Sequence, residues 1–86
     1  MRAPSRPRLT LYGKPGCHLC EEARATVLSL RDELDFELEE VDVSLDPRLA
    51  RRYGERVPVV AIDGEDALEL RFEAEEVIRA LDRVGA

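Results

Sequence analysis

Leu11-Tyr12-Gly13-Lys14-Pro15-Gly16-Cys17-His18-Leu19-Cys20 joins two hydrophobic patterns, and their junction decides how the rest of the chain is read. Upstream, Arg8 to Tyr12 alternates polar and apolar side chains with the period of a half-buried strand, until Gly13 to Gly16 break it with two glycines and a proline. From Cys17 onward, Cys20, Ala23, Val27, Leu30 and Leu34 recur at spacings of three and four, which predicts a helix of about four turns. A strand, a short loop and a helix therefore meet at a pair of cysteines with two residues between them.

That position suits thiol chemistry. Two cysteines so spaced can close a disulfide across a helix's first turn, where free N–H groups and positive potential favour a thiolate. Cys17, at the mouth of the loop, is the expected nucleophile. Cys20 lies on the apolar stripe, so it is expected to be buried, protonated and close enough to attack a mixed disulfide at Cys17. Lys14 and a protonated His18 would add cations that favour the Cys17 thiolate, against Glu21 and Glu22; otherwise both are solvated surface groups. Two other readings compete. The cysteines could be small core residues, or half of a four-ligand zinc site. The chain has no second cysteine pair, and His18, between the two, is badly placed as a third ligand, so no metal site is expected within one chain; a cluster shared by two chains stays open.

Beyond Leu34, Phe36, Leu38, Val41 and Val43 predict a second strand with a bulge or a late start, because the phase slips between Leu38 and Val41. Asp46-Pro47 opens a short helix through Leu49, Ala50 and Tyr53 that ends at Gly54. Val59 to Ile62 is apolar on both faces, as a central strand should be, and Asp63-Gly64 turns a hairpin into Ala67 to Arg71. Ala74, Val77, Ile78, Leu81 and Val84 form the last helical stripe, with Glu73, Glu75 and Glu76 at its start and Gly85 at its end. The order βαβαββα, with a right-handed first crossover and a final hairpin, gives an α/β fold with a four-stranded mixed sheet covered by helices. Residues 1–7 read as a flexible leader and 8–86 as a single domain.

Composition limits the function classes. With 13 Lys and Arg against 19 Asp and Glu, the net charge of −6 repels phosphate backbones, so nucleic acid is not an expected partner. No apolar run approaches the ~18 residues of a membrane span and the leader has no apolar signal core, so a cytoplasmic protein without a membrane partner is expected. In that reducing compartment a cysteine pair is more often catalytic or metal-binding than structural. Asn and Gln are absent and Lys14 is the only lysine; heat adaptation and codon composition account for this equally well.

The stretch from Leu11 to Cys20, together with Val41-Asp42-Val43 and Arg56-Val57-Pro58-Val59, resembles the thioredoxin-fold redox proteins and, within them, a small glutaredoxin-like family. The resemblance spans residues 8 to 84. It implies a thioredoxin fold, a cis proline at Pro58 facing the cysteines, and a Val57 backbone that holds the substrate. The match departs from typical glutaredoxins at Arg56, where they carry Thr, at His18 and Leu19, and around Leu70-Arg71-Phe72-Glu73, where they carry a glycine pair and an acidic cap for glutathione.

The reading that joins these observations is a thiol–disulfide oxidoreductase with Cys17 and Cys20 as catalytic residues and Lys14, His18, Val57 and Pro58 around the substrate. It needs no bound cofactor, only an external reductant, glutathione or a thioredoxin-type system. Its expected partner is a disulfide-containing protein or a low-molecular-weight thiol, met by a monomer. The alternative is a non-catalytic thiol module that binds an inter-chain iron–sulfur cluster or metal, or a partner protein.

Overall fold

A computed structural model describes residues 6–85. Four strands, β1 (Arg8–Gly13), β2 (Glu37–Asp42), β3 (Val59–Ile62) and β4 (Glu65–Glu69), form one sheet, and three helices, α1 (His18–Leu30), α2 (Pro47–Tyr53) and α3 (Ala74–Gly85), complete the fold. The strand order is β2-β1-β3-β4, with β1 parallel to β2 and antiparallel to β3, and β3 antiparallel to β4. The βαβαββα order and the four-stranded mixed sheet are those the sequence predicts, and they agree with the thioredoxin fold that the resemblance implies.

Strand alternation sends the side chains of β1 and β3 to two cores. Leu9, Leu11, Val60 and Ile62 pack against Ala23, Val27 and Leu30 of α1 and Val77, Ala80 and Leu81 of α3. On the other face, Val59 joins Val43, Tyr53, Val57 and Cys20, with Tyr12, Cys17 and Leu49 packed against them. Each fully buried aliphatic side chain contributes about 1.5 to 3 kcal/mol, which suits β3 to the centre of the sheet because all four of its residues are buried. The second core is the smaller, and the cysteines belong to it.

Three boundaries differ from those expected. The β1–β2 register runs unbroken from Arg8↔Glu37 to Gly13↔Asp42, so β2 has no bulge. The phase slip arises because Val43 is not in the strand: it starts a 3-10 helix, Val43–Leu45, whose first turn is capped by Asp42 Oδ1 accepting the Ser44 N–H at 2.9 Å. The irregularity lies instead between Val60 and Ala61, where β3 meets β4. The last strand runs Glu65–Glu69 rather than Ala67 to Arg71: Asp63 (φ 51°) and Gly64 (φ 89°) form a two-residue turn that lets pairing resume at Ile62↔Glu65, and the positive φ of Leu70 (67°) ends the strand after Glu69. Helix α1 stops at Leu30, and Leu34 reaches the first core from the hydrogen-bonded turn that follows.

Helix α2 carries the cap its sequence suggests, and an acidic side chain at the start of α3 takes a backbone N–H. Asp46 Oδ1 accepts the Arg48 N–H at 2.9 Å with Pro47 in the first turn, and Glu76 reaches back to the Glu73 N–H at 2.8 Å. Of the expected leader, residues 1–5 lie outside the described residues, and the Pro7 carbonyl accepts the Glu37 N–H at 2.9 Å. The side chain of Val84, expected on the α3 stripe, also lies outside them.

Candidate active site

Cys17 is the N-cap of α1, with extended backbone (φ −106°, ψ 110°), and Cys20 sits in the first turn. Their Cα atoms are 5.2 Å apart and their sulfurs are joined as a disulfide. Cys17 Sγ also accepts the Cys20 N–H at 3.2 Å, so the sulfur occupies the place of a capping oxygen among the free N–H groups of the helix start. Positive potential there stabilises the same sulfur as a thiolate once the disulfide opens. Cys17 is half-buried, whereas Cys20 is 9% exposed.

Two glycines shape the approach. Gly16 turns the loop with φ +74°, a conformation a side chain rarely adopts. Gly13 ends β1 against the site: a Cβ there would stand 3.4 Å from Cys20 Cβ and 3.5 Å from its sulfur. That contact is not legible from spacing, which shows only a loop glycine. Beside Cys20, away from Val57, a cavity of about 310 Å³ opens between this loop, α1 and β2, walled by Gly13, Pro15, Arg24 and Val41 among others.

On the other side, Val57 shares the second core with both cysteines, and Pro58 is fully buried behind a cis Val57–Pro58 bond. The resemblance implies a Val57 backbone that holds the substrate, but that backbone is only half free. Its N–H donates to the Tyr53 carbonyl at 3.0 Å, an oxygen that also accepts the Arg56 N–H at 2.8 Å. Only the Val57 carbonyl is left for a docked chain among the bonds described. The Pro58 carbonyl accepts the Leu70 N–H at 2.8 Å, which ties this segment to the end of β4.

The expected cations are engaged elsewhere. Lys14 Nζ donates to the Gly54 carbonyl at 2.9 Å, so it ties the β1–α1 loop to the end of α2. His18 is 84% exposed and its Nε2 lies 2.8 Å from Glu22 Oε2, one turn along α1. A long lysine stem and an exposed imidazole each take the nearest acceptor, and neither choice is visible in the order of residues. The structure puts Cys17, Cys20 and Val57 in one cluster, with Lys14 and His18 at its rim through these other contacts.

Tyr53 is the residue that sequence reasoning missed, because it appears there only as one apolar position of a short helix. Its ring, 3% exposed, stacks on Tyr12 with centroids 4.3 Å apart and planes 21° apart. Its hydroxyl donates to Asp66 Oδ1 at 3.0 Å, and the guanidinium groups of Arg52 and Arg56 lie 5.1 and 5.4 Å from the ring centroid. Arg56 binds Glu69 at 2.9 Å and Asp66 at 3.5 Å, so α2, the loop after it and β4 meet at one polar cluster.

Burial, then the hydrogen bond to Asp66, pushes the Tyr53 phenol from its ordinary 10 up to about 12. The folded chain therefore keeps this proton at pH values where the unfolded chain releases it. The resulting stabilisation is complete below pH 10 and is lost as pH rises through about 12. Urea unfolding at pH 9, 10, 11 and 12 is expected to show the stability gap between wild type and Tyr53→Phe narrowing over that range; a constant gap would contradict the assignment.

Among the described residues no group of three or more His, Cys, Asp and Glu side chains is placed to hold a metal ion, and no helix is long and apolar enough to cross a membrane.

Residues 8–82 match the sequence family described as Glutaredoxin-like domain (DUF836). An uncharacterized protein of Mycobacterium bovis is 33% identical over 67 residues, covering 72% of this chain and 69% of that protein. An X-ray structure of a structural-genomics target protein from X. campestris superposes with a TM-score of 0.74 at 33% identity, covering 87% of this chain and 96% of that one. A solution structure of a protein from Nitrosomonas europaea gives 0.75 at 28% identity over 93% and 96% of the two chains. A mutant thioredoxin from Halobacterium salinarum NRC-1 gives 0.73 at 22% identity over 95% and 77%, a likeness of fold.

Proposed function

The chain belongs to the glutaredoxin-like domain family and is a thiol redox module of the thioredoxin superfamily, and from that premise we propose that it is a dithiol thiol–disulfide oxidoreductase. The observation that carries this reading is the division between the two sulfurs: Cys17 half-buried at the helix cap, Cys20 buried behind it, the pair within disulfide reach. In the reduced protein the Cys17 thiolate attacks one sulfur of a substrate disulfide. That S–S bond breaks, and the departing thiolate takes a proton from water. Cys20 then loses its proton and attacks Cys17 Sγ, displacing the second substrate thiolate and closing the Cys17–Cys20 disulfide. Two electrons pass from the pair to the substrate, and an external thiol reductant, glutathione or a thioredoxin-type system, returns them.

A substrate disulfide on a protein suits the site, which offers a docked chain the Val57 carbonyl, set by the buried Pro58 that follows it. Such cycling belongs in a reducing cytoplasm. Lys14 and His18 act at the rim, Lys14 by holding the loop that carries Cys17 and His18 by facing an incoming chain.

Glutathione acts as an electron donor rather than a tightly held ligand. The chain has no glycine between Gly64 and Gly85, so it lacks the close backbone approach that the glutaredoxin pattern uses. Calorimetric titration is expected to show no tight complex; a defined adduct whose γ-glutamyl end contacts residues 71–74 would contradict this. The reading as a whole is tested by anaerobic purification with metal analysis and thiol counting. It predicts two titratable thiols per chain that one equivalent of a peptide disulfide oxidises together. Stoichiometric iron or zinc in a dimer whose thiols do not exchange would replace it with a metal-binding module.

A further inference from the structure

Leu70 sits in a conformation that leucine rarely takes. Its φ is +67°, and the Arg71 N–H donates to the Glu69 carbonyl at 2.9 Å across it, closing a three-residue turn of the strained, positive-φ kind. Its own N–H is fixed to the Pro58 carbonyl at 2.8 Å. The side chain held this way belongs to neither core and is 42% exposed; among the described residues only Leu45 is a more exposed large hydrophobic residue. Glycine would make the same turn without strain, and nothing in the packing of the folded chain accounts for the leucine.

We propose that Leu70 is the apolar contact for a polypeptide substrate, taking an aliphatic side chain next to the substrate cysteine and so favouring protein disulfides over small charged ones. This deepens the oxidoreductase reading and rests on it. The placement follows from the register. Glu69 pairs with Val59, so Leu70 lies beside Pro58, one strand spacing outward, while Val57, on the other side of Pro58, is in the cysteine cluster. Pro58 itself is buried, so for a chain whose sulfur meets Cys17 and whose backbone donates to the Val57 carbonyl, Leu70 is the exposed apolar side chain that the register places next to that segment. With the Val57 N–H already bonded to Tyr53, backbone pairing at Val57 offers such a chain the carbonyl alone, and apolar contact has correspondingly more weight. A small thiol such as glutathione, charged at both ends, finds no polar side-chain partner in a leucine.

The test uses the full chain, oxidised glutathione, and two synthetic peptide disulfides that differ only in carrying Leu or Ser on either side of the half-cystine. Wild type is expected to favour the leucine peptide by about tenfold in kcat/KM, chiefly through KM. Leu70→Gly erases that preference and unfolds no earlier than wild type because glycine adopts the turn freely. Leu70→Asn, which tolerates the left-handed backbone but is polar, loses the preference in the same way. A wild type without preference, or a preference that survives both substitutions, overturns the role of Leu70 while leaving the oxidoreductase reading intact. A wild type that exchanges with none of the three disulfides overturns that reading, and the role of Leu70 with it.

Discussion

Cys17→Ser is expected to reduce disulfide exchange by about a thousandfold or more, because a serine hydroxyl does not ionise at neutral pH and cannot form the mixed disulfide. Cys20→Ser has a different signature. Cys17 remains the N-cap of α1, among the free N–H groups of the helix start, so it still attacks, but nothing resolves the product. Intact-mass measurement of Cys20→Ser after addition of a peptide disulfide is expected to show one peptide adduct, at Cys17, that persists until a reductant is added. Burial makes the reversed arrangement unfavourable, since Cys20 packs against Gly13 and is 9% exposed. An adduct that forms on Cys20 in the wild type or in Cys17→Ser would exchange the two roles.

Tyr53→Ala should come close to unfolding the protein. Removing a buried aromatic ring costs about 3 to 5 kcal/mol. A chain of 86 residues has a total stability of about 4 to 13 kcal/mol at the usual 0.05 to 0.15 kcal/mol per residue. Besides its ring volume in the smaller core, the residue carries the Tyr12 stack and the Asp66 hydrogen bond. Denaturant unfolding of Tyr53→Ala is expected to show a loss in this range, and Tyr53→Phe a loss of about 1 kcal/mol, since the ring and its stack remain. The same loss in both would mean that the hydroxyl, not the ring, matters; no loss in either would remove Tyr53 from the support of the site.

What could be read in the order of residues was what repeats locally. The alternation from Arg8 to Tyr12, the three-and-four spacing after Cys17 and the stripe from Ala74 are short-range signals set by one backbone period each, and each marks its element, although α1 ends at Leu30, short of the Leu34 that the spacing includes. The end of β2 was not legible, because Val43 is apolar whether it continues a strand or turns into a 3-10 helix, and the Asp42 cap decides between them. Around the site, the cysteine spacing was sufficient for the disulfide and its helix cap. The Val57 N–H, Lys14 and Tyr53 were not, since their partners at Tyr53, Gly54 and Asp66 depend on the packing of α2 and β4 against one another. Leu70 was visible only as an apolar residue near the end of a strand; its positive φ is a property of the folded backbone.

The central claim is that the two thiols act together to transfer two electrons to a disulfide. It is tested most directly by mixing reduced wild-type protein with an equivalent of peptide disulfide, quenching with an alkylating agent and counting alkyl groups by intact mass. The account predicts two alkyl groups per chain before mixing and none after, with the peptide recovered as two thiols and no adduct left on the protein. Two alkyl groups retained after mixing, beside an intact peptide disulfide, would contradict it.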